Sequence, residues 1–178
     1  MLKLKRPVVA LIEWPLILID LHTEEGVIGR GYLEPYLRKS MRYLIPALHD
    51  LGEMLKGRRV APIEFYEACR KSLHFVGYEG MSMIAVAGID MAAWDALARA
   101  AGVPLCVLLG GSVGPVPAYN CDGTGLRSPA EVASEAAELR DEGGFRGLKL
   151  RLGRERLADD LATIEAVRDA VGSENRRL

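Results

Sequence analysis

The spacing of apolar and polar residues changes several times along this chain, and each change marks an element. Residues 14–21 and 27–33 are rich in β-branched and aromatic side chains. The polar link between them, His22-Thr-Glu-Glu-Gly26, ends in a glycine where a reversing chain needs a positive φ, which predicts a hairpin. From residue 39 the period lengthens. Tyr43, Leu44, Leu48, Leu51 and Leu55 recur at helical spacing up to Lys56-Gly57, and Pro62 opens a second helix running to Leu73. Residues 81–101 predict a longer helix, apolar on nearly every face, with Asp90, Asp95 and Arg99 as its only charges. Such a helix is buried on most sides.

Past Gly102-Val-Pro104 and a short apolar turn over 105–109, the run Gly110-Gly-Ser-Val-Gly-Pro115 is dense in chain-bending residues. It predicts a boundary between domains 1–113 and 114–178. The second part reads as a strand over 116–120, then the capping box Ser128-Pro-Ala-Glu131 opening a helix to residue 142. A strand over 145–152 follows, and then a helix striped by Leu157, Leu161, Ile164, Val167 and Val171 and stopped by Gly172. The order is βαβα, in which each crossover helix packs back on a parallel sheet. Two strands leave their edges unpaired and close no barrel.

Composition narrows the field. The chain has 178 residues, 49% hydrophobic and 26% charged, which suits a globular protein with a substantial core and excludes a disordered one. A formal charge of −1 excludes a global field for nucleic acid or an anionic membrane. The uninterrupted apolar runs are too short for a transmembrane helix, and the basic start lacks a signal-peptide cleavage site. Three cysteines, Cys69, Cys106 and Cys121, fit neither a metal knuckle nor a disulfide framework, and point to a reducing cytoplasm.

The chemistry concentrates in Gly147-Leu-Lys-Leu-Arg-Leu152. Alternation puts the leucines on one face, toward the flanking helices, and Lys149 and Arg151 on the other, facing either solvent or a cavity. Cations two residues apart on one strand face are about 7 Å apart. Arginine stays charged, which leaves Lys149 to serve as a general base and makes an anion site plausible. The loop over 120–127 lacks the third glycine of a dinucleotide fingerprint and the Gly-Lys-Ser/Thr of a P-loop, so a loop at the rim of a site is its plainer reading. Asp90 and Asp95 point in different directions around one helix, and Asp95 sits four before Arg99 as a structural ion pair. His22, His49 and His74 have no second ligand at metal spacing.

The run Ala85-Val-Ala-Gly-Ile-Asp-Met-Ala-Ala-Trp-Asp95 followed by Pro104-Leu-Cys-Val-Leu-Leu-Gly110 resembles the signature of the mandelate racemase and muconate lactonizing enzyme family of the enolase superfamily. Pro15-Leu-Ile-Leu-Ile-Asp-Leu21, Val116-Pro-Ala-Tyr-Asn120 and Gly144-Phe-Arg-Gly-Leu-Lys149 extend the resemblance over nearly the whole chain. It implies an α+β capping domain, hairpin plus helices, followed by the first two βα units of a modified (β/α) barrel. The barrel is incomplete and the first capping strand missing. It also implies an enzyme that removes the proton α to a substrate carboxylate with Mg²⁺ as cofactor, the metal ligands falling on later strands beyond this chain.

By the same resemblance Lys149 matches the first lysine of a Lys-x-Lys motif, and Arg151 replaces the second, a usual proton acceptor. That favours an acid-sugar dehydratase over a 2-hydroxy acid racemase. Tyr36 resembles a residue of a lid loop that closes over substrate, and Val8 lies in what resembles the other lid loop. Asn120 and Cys121 are carried over as substrate-binding positions, Cys121 falling where family members often have a small polar residue. The expected partners are a small carboxylate substrate and further copies of the chain, with no nucleic acid and no membrane. The alternative is a non-catalytic remnant acting only in oligomer contacts.

Overall fold

A computed structural model describes residues 2–11, 16–142, 145 and 147–172, in two compact units, Met1–Val113 and Gly114–Leu178. Trp14 and Pro15 of the expected hairpin, and Gly144 and Arg146 near the last expected strand, lie outside the described residues.

The first unit is a three-stranded antiparallel sheet in the order β1 (Leu4–Leu11), β2 (Ile17–Thr23), β3 (Ile28–Leu33), with helices packed on it. The expected hairpin is present, and Gly26 turns it at φ 84°. Period-two alternation in β2 buries Ile17, Ile19 and Leu21, while Leu18 stays partly exposed. Residues 4–11, among them Val8 of the segment that resembles a lid, form β1, paired with β2 from Leu4↔Thr23 to Leu11↔Ile17. The physical reason is that β2 would otherwise present a row of unpaired backbone groups, and an edge strand tolerates Pro7.

Helices α1 (Met41–Leu55) and α2 (Pro62–Ser72) contribute Leu44, Leu48, Leu51, Leu55, Phe65 and Cys69 to the core. Tyr43, expected on the buried stripe of α1, is exposed. Helix α3 (Met81–Ala101) is long and apolar enough to cross a membrane, but it lies across the sheet with Ala85, Val86, Gly88, Ile89, Ala92, Ala93 and Ala96 buried. The fit is tight. A Cβ on Gly29 would overlap the Ala92 carbonyl and the Ala96 side chain, and one on Gly88 would come within 2.5 Å of Ile19 Cδ1. The Asp95–Arg99 ion pair forms at 2.6 Å, and the same Asp95 oxygen accepts the outward-facing Arg30 N–H of β3 at 2.7 Å. A short α4 (Leu105–Leu108) follows.

In the second unit, α5 (Pro129–Asp141) and α6 (Leu157–Val171) pack on each other around Val132, Ala136, Leu139, Leu148, Val167 and Val171. The Ser128–Glu131 capping box opens α5. The two expected strands shrink to a single parallel bridge, Asn120↔Leu148, and Val116 and Tyr119 are exposed. Parallel pairing of two segments with no neighbour on either side has too few hydrogen bonds to extend. Leu152, Leu157 and Leu161, expected to face the core, are 51%, 73% and 52% exposed. In α6 the buried face carries Asp160, Thr163, Val167 and Val171 instead.

Candidate active site

The segment that carries Lys149 and Arg151 is held at its start by the bridge to Asn120. The Asn120 N–H donates to the Gly147 carbonyl and the Lys149 N–H to the Asn120 carbonyl, each at 2.9 Å. Leu148 is buried and Leu150 half-buried against the helices, so alternation leaves Lys149 and Arg151 exposed on the other side. The Lys149 ammonium has no hydrogen-bond or ion-pair partner among the described residues. Arg151 spends one guanidinium N–H on the Gly123 carbonyl at 2.8 Å. Its other N–H donors leave capacity for a carboxylate.

Thr124 ties the loop over 120–127 to this segment. It is 2% exposed and sits at φ 48°, a region that costs a β-branched residue on the order of 1–3 kcal/mol. Its hydroxyl lies 2.6 Å from the Lys149 carbonyl and 2.9 Å from that of Gly123. A hydroxyl has one proton, and the shorter contact takes it. The Thr124 carbonyl accepts the Arg151 N–H at 3.4 Å. Glu135 of α5 accepts the Thr124 N–H at 2.6 Å and pairs with Arg127. The Arg127 guanidinium, then the Thr124 N–H, hold the Glu135 carboxyl below the usual range. A carboxylate already occupies this loop, so it does not cradle phosphate.

A second clamp joins the far end. Arg154 and Asp160 pair at 2.9 Å with both side chains 11% exposed, and Arg154 also donates to the Arg127 carbonyl at 2.8 Å. The Gly153 N–H, then Arg154, hold the Asp160 carboxyl below its usual range. Thr124, Glu135, Arg154 and Asp160 escaped the sequence reading because the partners that fix them lie 6 to 27 residues away with no motif joining them.

The other carried-over positions divide between the units. Asn120 turns its side chain into its own loop, accepting the Asp122 N–H at 3.1 Å and donating to the Leu139 carbonyl at 3.5 Å. Cys121 is exposed. In the first unit Tyr36 follows Pro35 at φ 57° with 84% exposure. Val8 lies opposite Asp20 inside β1. Among the described residues no three His, Cys, Asp or Glu side chains converge to hold a metal ion, so they do not fit a resident Mg²⁺.

With the geometry in view, comparison with known proteins becomes informative. Residues 4–110 match the N-terminal domain of mandelate racemase / muconate lactonizing enzyme, and residues 131–178 match the enolase C-terminal domain-like family. The chain belongs to the mandelate racemase / muconate lactonizing enzyme family of the enolase superfamily. It is 38% identical to the L-talarate/galactarate dehydratase of Salmonella typhimurium over 92% of its own length and 41% of the relative's. It is 31% identical to the L-Ala-D/L-Glu epimerase of Bacillus subtilis over 88% of its length and 42% of that protein. The chain thus spans less than half the length of these curated relatives.

Among solved structures, an enolase from alpha proteobacterium bal199 with bound magnesium superposes with a TM-score of 0.88 at 56% identity, over 98% of this chain and 53% of that one. A Bradyrhizobium enolase complexed with magnesium and mandelic acid gives 0.83 at 32% identity, over 97% and 52%.

Proposed function

We propose that this chain supplies the carboxylate-binding corner of an acid-sugar dehydratase. The observation that carries the reading is the pair at residues 149 and 151: a lysine with no partner among the described residues beside an arginine anchored by one N–H, both on the exposed side of a segment fixed at each end. In this reading a base takes the proton α to the substrate carboxylate, and the electrons of that C–H bond move into the carboxylate as an enediolate. The enediolate then expels the β-hydroxyl, which takes a proton from an acid equivalent to the one the base removed and leaves as water, and the enol product tautomerises to a 2-keto acid. Lys149 and Arg151 meet the carboxylate, where negative charge grows most. Arginine is a poor proton acceptor, which separates this site from a two-base racemase. Dehydratases of galactonate and arabinonate among the relatives support the same class.

In the same proposal the first unit is a capping domain that carries the exposed Tyr36 on a lid loop, and the second is the opening of a β/α barrel. The assembly is a homo-oligomer in a reducing cytoplasm. The neighbour crystallised with mandelic acid favours a second reading, racemisation of a 2-hydroxy acid. The complete reading frame, assayed with Mg²⁺ against aldonic, aldaric and 2-hydroxy acids in D2O, separates them. Dehydration yields a 2-keto acid, and racemisation yields inverted, deuterated acid. If no acid exchanges its α-proton, both readings fall.

A further inference from the structure

We infer that Thr124, steadied by Glu135, is a positioning residue for Lys149 and Arg151; the inference rests on the proposed role of that pair. A threonine at φ 48° is strained, and glycine or asparagine would occupy the position more easily. What the threonine supplies instead is a buried hydroxyl 2.6 Å from the carbonyl of Lys149. Its own carbonyl takes the N–H of Arg151, and the carbonyl of the preceding Gly123 takes that residue's guanidinium. One residue and its neighbour therefore grip the backbone of both cations and the side chain of one. They do so from a single loop, at the stretch just past the bridge, where the segment has no other regular pairing.

Glu135 fixes the grip from the helix side. Its carboxylate holds the Thr124 N–H and Arg127, and it lies where a Cβ on Gly123 would come within 2.5 Å of Oε1. Loss of the hydroxyl frees the Lys149 carbonyl to turn, and a turn of that peptide swings the Lys149 and Arg151 side chains relative to each other. Reaction rates are sensitive to such displacements: about 1 Å is enough to cost on the order of a hundredfold.

Thr124→Val keeps the volume and the β-branch, so the backbone strain stays while the hydroxyl goes. Thr124→Ser keeps the hydroxyl. In the complete reading frame with Mg²⁺ and galactarate, T124V is expected to lower kcat by about ten- to a hundredfold with KM within about threefold, while T124S retains kcat within about threefold. Hydrogen exchange of the 149–152 amides is expected to speed up at least about tenfold in T124V and to stay near wild type in T124S.

An unchanged kcat or an unchanged exchange rate in T124V overturns the inference, as does T124S falling as far as T124V. If T124V does not fold, Glu135→Gln replaces it, with an expected loss of about three- to tenfold in kcat, and no loss is fatal. If wild type turns over none of the acids while T124V still loosens the 149–152 amides and T124S does not, the dehydratase reading fails and the positioning by Thr124 stands.

Discussion

At the scale of single residues, the chain sorts its candidate groups by what already occupies them. Among the described residues Lys149 has no partner, Arg151 is partly engaged, and Asn120 is turned into its own loop. Lys149→Met is therefore expected to lower α-proton exchange by about 10²- to 10³-fold in the complete reading frame, the range of a lost group that stabilises the growing negative charge. Arg151→Lys, which restores a second lysine, is expected to add deuterated, inverted acid to the product mixture; NMR and chiral chromatography read it. The thiols sort in the same way. Cys106 and Cys121 are exposed, whereas Cys69 is buried, and its burial pushes the thiol from 9.0 up to about 11. A disulfide reagent at neutral pH should titrate two thiols natively and the third only after denaturation; three fast thiols would contradict the packing of α2.

Lys149 and Arg151 were legible in the sequence because leucines alternate with them. Thr124 was not, because nothing local distinguishes a threonine that hydrogen-bonds 25 residues away.

At the scale of elements, legibility followed the length over which a pattern persists. The hairpin, α1, α2, α3 and the capped α5 each carry several turns or a full alternation, and each appeared near its expected bounds. The strands of the second unit did not, since a parallel pair draws on neighbours that lie far off in sequence. The exposed Leu157 and Leu161 have the same origin: helical periodicity marks an apolar face without saying which side of the helix meets the core. The close seam between α3 and the sheet gives a direct test. Gly29→Ala would drive a methyl into helix backbone, which has no rotamer to yield, and it is expected to destabilise the first unit by about 1–3 kcal/mol in urea unfolding. Ser128→Ala removes the capping-box acceptor of α5 and should cost about 1 kcal/mol by the same measurement.

At the scale of the molecule, acid acts on a single depressed carboxylate among the described residues of the first unit, Glu25, held down by the Lys3 N–H, and on several in the second. In the second, hydrogen bonds from Ser128 hold Glu131 below the usual carboxyl range, Arg127 does so for Glu135, Arg140 for Asp141, and the Gly153 N–H for Asp160. Each is a depressed carboxylate. Its contribution to stability is present above the ordinary carboxyl values near about 4 and is lost as pH falls through the lower folded values. Trp94 belongs to the first unit, and the sequence over 114–178 contains no tryptophan. Acidification should therefore diminish the helical circular dichroism before it changes tryptophan fluorescence, and the reverse order would refute the assignment. In the first unit the raised Cys69 acts in the opposite direction: its contribution is intact below 9.0 and fades as pH climbs toward 11.

The seam of small residues between Gly29, Gly88, Ala92 and Ala96 also bears on descent. Side chains there cannot grow without parting a helix from its sheet, so mutation at the seam is answerable to folding and indifferent to substrate. In the proposed function the loop and segment that present Lys149 and Arg151 answer to substrate. Two regions under different selection drift at different rates, and a lineage can exchange one sugar acid for another, or elimination for epimerisation, while the seam stands still. A dehydratase and an epimerase accordingly both align with most of this chain.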